Sequence, residues 1–200
     1  DQINKSKYIN AFPGYEYVEK YDKETGKFIR QNMYRGTDLG FGGYVYAEPG
    51  MYENVALLDV ASMHPHSILS MNVFGKYTKN YEDVVDTRVY IKHEDYDTVR
   101  EMFGGKLKKY LTNPEGAAAL SKAMKTPINA VYGLTSATFP NPFKDKRNKN
   151  NIVALKGALM MRTLQDEVVK RGFTVAHIKT DSIKIPNATP EIIQFCMEFA

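Results

Sequence analysis

The sequence predicts an α+β fold, and three observations carry that prediction. Residues Thr174 to Pro186 read as two short strands meeting at a tight turn, with β-branched and apolar residues in both arms and Pro186 closing the second. Residues Glu53 to Val60 form a near-continuous apolar run that ends in Asp59, the pattern of a strand carrying a carboxylate at its end. Between them, apolar residues recur at helical spacing in two long segments, one starting at Asn113-Pro114 and one spanning about Ile152 to Arg171.

Taken in order, residues Gly14 to Tyr34 alternate like a β-hairpin around a Lys23-Glu24-Thr25-Gly26 turn. The run Gly36 to Gly43 is rich in glycine, which permits positive φ and close approach of another backbone. Tyr44-Val45-Tyr46 is a strand and Glu48-Pro49-Gly50 a turn. The unbroken apolar run of the Glu53–Val60 strand suggests cover on both faces. Pro65 suits a first helical turn, so a short helix begins near it, and backbone N–H groups between Val60 and His64 then lie at a helix start where anions bind.

Residues Tyr81 to Glu94 read as a short strand-containing connection. Asp97 caps a helix from Thr98 to Leu111, weakened by Gly104-Gly105. Asn113 caps a second helix with Pro114 at its first position, and the two helices make an αα-hairpin. Pro127 is expected to kink the second helix or lie near its end. The Ile152–Arg171 helix stops at Gly172, and Thr189-Pro190-Glu191 starts a last helix.

Two hundred residues make one or two domains with room for a real core. Apolar residues are 43% and charged residues 25%, an ordinary globular mixture. No apolar run is long enough to span a membrane, and no signal peptide is evident. A single cysteine, Cys196, excludes an internal disulfide framework and a Cys-based zinc site, and points to a reducing compartment. The net charge of +4 is compatible with nucleic acid without demanding it. The chain starts at Asp1 and ends at Ala200 inside an expected helix, so it is expected to be a piece of a longer protein.

The chemistry-bearing residues are few. Asp59 and Asp181 each sit at a strand end, and either alone reads most simply as a turn residue. On the Asn113 helix, Lys122, Lys125, Asn129 and Tyr132 recur every three or four residues and share one polar face, while Met124, Ile128 and Val131 fall on another. Aligned lysines suit a polyphosphate, although a solvated lysine face has the same spacing. His64 and His66 near Asp59 raise zinc, but no third ligand is evident. The basic, amide-rich segment Asn141 to Asn151 suits either phosphate contacts or a plain soluble loop.

Their order is specific. Asp59-Val60-Ala61-Ser62-Met63-His64-Pro65 resembles the D-x-x-S-L-Y-P motif of the family B (alpha-type) DNA polymerases, especially phage-type members. Lys125-Thr126-Pro127-Ile128-Asn129-Ala130-Val131-Tyr132-Gly133 resembles their K-x-x-x-N-S-x-Y-G motif, and Lys179-Thr180-Asp181-Ser182 resembles their D-T-D-S motif. Gly42-Gly43-Tyr44-Val45 with Pro49-Gly50 and Tyr52 resembles the usual lead-in to the first motif. The likeness runs from about Tyr34 to Pro186.

The resemblance implies a right-hand polymerase. Its palm is a mixed or antiparallel sheet backed by helices, and its fingers are an inserted antiparallel helix pair. Residues 1–80 would then hold the N-terminal hairpin and first part of the palm, 81–134 the fingers, and 135–200 the second part of the palm. Exonuclease and thumb regions of the same polymerase would lie outside this chain. The implied activity is DNA-directed DNA synthesis, in which a primer 3′-hydroxyl attacks the α-phosphorus of a dNTP, using two Mg²⁺ ions, with Mn²⁺ an accepted substitute. The implied partners are primer–template DNA and dNTPs, with no membrane, in a cytoplasm (the host's, if the source is a phage).

By the same resemblance Asp59 and Asp181 are catalytic metal ligands, with the Val60 carbonyl a further ligand. Ser62 and Met63 offer backbone N–H groups to the triphosphate, and His64 lies at the sugar. Lys125 neutralises phosphate charge, Asn129 and Tyr132 flank the nascent base pair, and Gly133 and Lys179 face nucleic acid. Arg100 is a further candidate for the triphosphate.

Three residues depart from the family pattern. His64 stands where Tyr is usual, which puts ribonucleotide exclusion in question. Ala130 replaces a common Ser. Lys179 replaces the first Asp of the third motif. Lys179 and His64 favour one alternative, a non-catalytic polymerase-like subunit that binds primer–template; a further alternative is an unrelated α/β domain carrying the motifs by chance.

Overall fold

A computed structural model describes residues 12–72, 74–143 and 151–200. The basic stretch of the Asn141–Asn151 segment, residues 144–150, lies outside them. The chain is α+β, and all its strand pairs are antiparallel. It divides into two compact units, one made of Asp1–Ser67 with Arg147–Ala200 and the other of Ile68–Lys146.

The first unit opens with strands β1 (Tyr15–Asp22) and β2 (Lys27–Tyr34), paired from Tyr15↔Tyr34 to Asp22↔Lys27. The turn is closed by Asp22, whose carboxylate accepts from the Glu24 N–H and the Thr25 hydroxyl. A two-residue strand β3 (Thr37–Asp38) extends this sheet. Strand β4 (Val45–Ala47) then enters a second sheet with β5 (Val55–Asp59), β6 (His177–Lys179) and β7 (Ser182–Pro186), in the order β4-β6-β7-β5.

Side chains alternate across that second sheet. Ile178, Ile183 and Ile185 are buried on one face. The other face is open. Leu57 is 61% exposed and Val55 40%, so the Glu53–Val60 strand is not covered on both sides as its apolar run suggested. A continuous run of Val, Ala and Leu conceals an alternation that polar residues would have displayed.

Three helices complete the unit. Helix α1 (Met63–Ser70) begins in it and runs on into the second unit. Helix α5 (Ile152–Lys170) buries Val153, Leu159, Met161, Leu164 and Val168 and ends before Gly172, at φ +86°. Helix α6 (Pro190–Phe199) is capped by the Thr189 hydroxyl and lies against β5 and α5. The Arg35 guanidinium pairs with Asp166 of α5 at 2.6 Å, and Arg162 pairs with the same carboxylate.

The second unit is helical. Helix α2 (Thr78–Lys92) occupies residues read from the sequence as a strand-containing connection. Its valines favour strands locally, but Tyr81, Val85, Thr87 and Ile91 are buried on the helix, and packing outweighs that preference. Helix α3 (Tyr96–Glu101) is capped by Asp95, not Asp97, through the Thr98 N–H and hydroxyl. It stops early, because Phe103 and Gly104 take positive φ, and only 3₁₀ turns follow to Tyr110. Helix α4 (Pro114–Ser136) is capped by Asn113 and runs through Pro127.

The long pair is therefore α2 with α4, not 98–111 with 114–132. Near the start of α2 the Tyr81 hydroxyl donates to the Ile128 carbonyl, late in α4. At the other end Ile91 clusters with Val99, Leu111 and Ala117, at the start of α4. The two helices are antiparallel.

Candidate active site

In the first unit, β5 carries Asp59 at its last residue, and strand alternation places it on the open face with Leu57 and Val55. Ser182, the first residue of β7, is its direct cross-strand partner. Asp181 immediately precedes Ser182. Cross-strand and along-strand spacings put the Asp59 and Asp181 Cα atoms about 6 Å apart. A backbone bond ties the two strands at this point, from the Val60 N–H to the Asp181 carbonyl at 2.7 Å.

The β6–β7 loop is only Thr180 and Asp181, since Lys179 pairs with Ser182. The Asp181 N–H donates to the Lys179 carbonyl at 2.8 Å, and Thr180 between them has φ +58°. That is a γ-turn of the strained kind, centred on a β-branched residue. The Ser182 hydroxyl donates to the same Lys179 carbonyl at 3.2 Å. The Thr180 N–H donates to the Tyr44 carbonyl at 2.9 Å. Asp181 is half-buried at this tip, and Asp59 is exposed.

Strand register defines what shares the open face with Asp59. One row crosses all four strands as Val45, Lys179, Ser182 and Asp59, and the next as Ala47, His177, Lys184 and Leu57. Lys179 is exposed and stands two strands from Asp59, about 10 Å away at the strand spacing. The Lys179 cation thus faces the same side of the sheet as the Asp59 carboxylate.

Beyond β5 the chain turns through Ser62, at φ +54°, into α1. The His66 Nδ1 lies 3.0 Å from the Ala61 carbonyl and 3.1 Å from the Ser62 carbonyl, so its Nδ1–H donates back into the turn. That contact gives His66 a structural role. Met63 is buried, Ser62 half-buried, and the N–H groups of the first turn point along the helix axis, as at any helix start. The half-buried His64 ring has its pKa lowered by burial, with the negative charge of Asp181 opposing. His64 is thus within electrostatic reach of Asp181. Among the described residues no three His, Cys, Asp or Glu side chains gather to hold a metal ion. Asp59, Val60 and Asp181 offer two carboxylates and a carbonyl from neighbouring backbone positions. Such a set suits a hard cation that keeps several of its waters, as Mg²⁺ does.

In the second unit, α2 and α4 enclose a cleft of about 390 Å³ lined by Arg88, Lys92, Lys122 and Lys125, with Glu94, Tyr96 and Ser121. The sequence reading found the two lysines of α4 and missed Arg88 and Lys92. Their i,i+4 spacing was the available signal, hidden by reading that segment as strand. Four cations and one carboxylate line it, a charge balance that favours an anion. Arg100 does not line it and instead pairs with Asp97 on its own helix. Asn129 is exposed and Tyr132 half-buried further along α4. Among the described residues nothing lies within 4 Å of a Cβ built on Gly133, whose surface is open.

No family model matches the chain, and no curated protein matches it.

Proposed function

We propose that this chain is the palm and fingers core of a DNA-directed DNA polymerase, catalysing nucleotidyl transfer from a dNTP to a primer 3′-hydroxyl. The observation that carries the reading is the nearness of Asp59, at the end of β5, to Asp181, in the turn that enters the neighbouring antiparallel strand β7, with the Val60–Asp181 backbone bond between them. Motif resemblance supplies the reaction, and the cationic cleft between α2 and α4 supports a polyphosphate substrate.

In this reading the first unit is the palm and the second the fingers. When bound, Mg²⁺ would lower the pKa of the primer hydroxyl and stabilise charge on the leaving pyrophosphate. The chain's own part is to position and to neutralise. Asp59, Asp181 and the Val60 carbonyl would hold the ions. Backbone N–H groups of Ser62 and Met63 would bind phosphate oxygens, as helix starts do. Lys125, with Arg88, Lys92 and Lys122, would offset the triphosphate charge. Asn129 and Tyr132 would contact the nascent base pair, with Gly133 and Lys179 against the nucleic acid and His64 beside the sugar. Exonuclease and thumb regions, primer–template DNA and dNTPs are the partners this reading requires, in a cytoplasm. Among the described residues no helix is long and apolar enough to cross a membrane.

One observation favours a second reading, a polymerase-like subunit that binds primer–template without chemistry. Lys179 puts a cation on the open face in the same row as Asp59. Primer extension with dNTPs and Mg²⁺ separates the two. The polymerase reading expects extension that Asp181→Asn abolishes. DNA binding with no extension by the complete wild-type protein, thumb region included, would support the second reading, and undiminished extension by Asp181→Asn would sink the first.

A further inference from the structure

The tip that carries Asp181 is fixed from three sides. On one side the Val60 N–H holds the Asp181 carbonyl at 2.7 Å. On the other the Tyr44 carbonyl holds the Thr180 N–H at 2.9 Å. Tyr44 is itself anchored, for its buried hydroxyl donates to Gln165 of α5 at 2.8 Å. The third restraint is steric. A Cβ built on Gly43 would collide with the Thr180 side chain, reaching its Cγ2 at 2.5 Å and its Cβ at 2.7 Å, and meeting Oγ1 as well.

This contact sets Gly43 apart from the other glycines of its loop. Gly36 and Gly40 take positive φ, and a Cβ on either would meet nothing within 4 Å among the described residues. Gly43 is not among the positive-φ residues, so its backbone would accept alanine. The three atoms nearest such a side chain all belong to Thr180. Thr180 cannot yield cheaply, because the clash includes its Cβ and a β-branched side chain has few rotamers to escape into. Its backbone is already held at φ +58°. To restore ordinary carbon–carbon contact, the tip would have to move by about 1 Å.

We propose that Gly43 is a positioning residue for Asp181: it leaves a seat into which Thr180 packs, and that packing holds the strained γ-turn that aims the carboxylate. The inference rests on the reading of Asp181 as a metal ligand. It makes Gly43 and Thr180 one device, so their substitutions must couple, whereas two independent structural effects would add.

The test is a double-mutant cycle read by Mn²⁺ binding to the chain, followed by electron paramagnetic resonance, with Asp181→Asn as reference. Gly43→Ala is expected to weaken Mn²⁺ binding by about 10- to 100-fold, the range for residues that orient a ligand. Thr180→Gly removes the clashing atoms and accepts positive φ. In that background Gly43→Ala is expected to change binding by less than about twofold, a loss of nearly all its effect. Should Gly43→Ala alone fail to fold, the same coupling must appear as recovery of folding in Gly43→Ala/Thr180→Gly, followed by thermal unfolding. Equal effects of Gly43→Ala in both backgrounds, or no effect in either, overturn the proposal. If Asp181→Asn binds Mn²⁺ like the wild type, the metal-ligand reading has failed and the proposal falls with it. If Asp181→Asn loses binding while Gly43→Ala keeps it, the seat alone is refuted.

Discussion

Replacing Lys179 by Met should strengthen divalent-metal binding and weaken DNA binding at once. Lys179 shares the open face with Asp59, two strands away. At about 10 Å a unit positive charge opposes a divalent cation at Asp59 by about 0.8 kcal/mol in water, or about fourfold in affinity. The side chain is exposed, so the water value applies and salt must erode it. Lys179→Met is therefore expected to raise Mn²⁺ affinity about threefold at 10 mM salt, where the screening length is about 30 Å, and by less than twofold at 0.15 M, where it is about 8 Å. If the ammonium also contacts a primer phosphate, the slope of log affinity for primer–template against log salt should fall by about one. Mn²⁺ titration at the two salt concentrations and a salt series of fluorescence anisotropy on labelled primer–template read both effects. Lower Mn²⁺ affinity in the variant would refute the placement of this cation near the proposed metal ligands Asp59 and Asp181. An unchanged salt slope would remove Lys179 from the DNA contacts.

Three further outcomes are expected. Arg88→Ala and Lys92→Ala should each raise the KM for dNTP about tenfold with little change in unfolding temperature, since both line the cationic cleft; steady-state single-nucleotide extension reads this, and an unchanged KM would remove the cleft from triphosphate binding. Burial works against the Asp166 carboxylate, but the bonds from Arg35 and Arg162 prevail and hold its pKa below the usual value. The stability this gives is complete above the unfolded value of about 3.9 and is lost as pH falls through the lower folded pKa. Thermal unfolding against pH should therefore show Asp166→Asn less stable than wild type above about pH 4, with the gap closing in more acid solution; a gap independent of pH would contradict it. Finally, His64→Tyr should cut ribonucleotide incorporation relative to dNTP by about tenfold in single-nucleotide extension, and equal ratios in the two proteins would show that residue 64 does not gate the sugar.

The parts of this fold written in local chemistry were legible. Alternation and Pro186 marked the β6–β7 hairpin, Asn113-Pro114 and Thr189-Pro190 marked two helix starts, and Gly172 marked a helix end. What failed depends on contacts distant in sequence. The valines of α2 favour strand until Tyr81 and Ile91 find partners beside α4. The open face of β5 could not be read from a run in which exposed Leu57 and buried-side Leu58 are the same residue type. With α2 misread, Arg88 and Lys92 had no helix to share, and half the cationic lining went unseen. The glycine-rich loop was visible, but only three-dimensional contact shows that Gly43 is the one pressed by Thr180. For the candidate site, sequence order supplied the two aspartates, and strand register supplied their neighbourhood and the face on which Lys179 stands.

The most direct test of the central claim is single-nucleotide extension of one labelled primer on four templates that differ only in the first unpaired base. The account predicts that the complete protein, given Mg²⁺ and each dNTP in turn, adds only the complementary nucleotide on each template, and that Asp59→Asn and Asp181→Asn add none. Addition regardless of the template base, or extension by either variant at the wild-type rate, would contradict it.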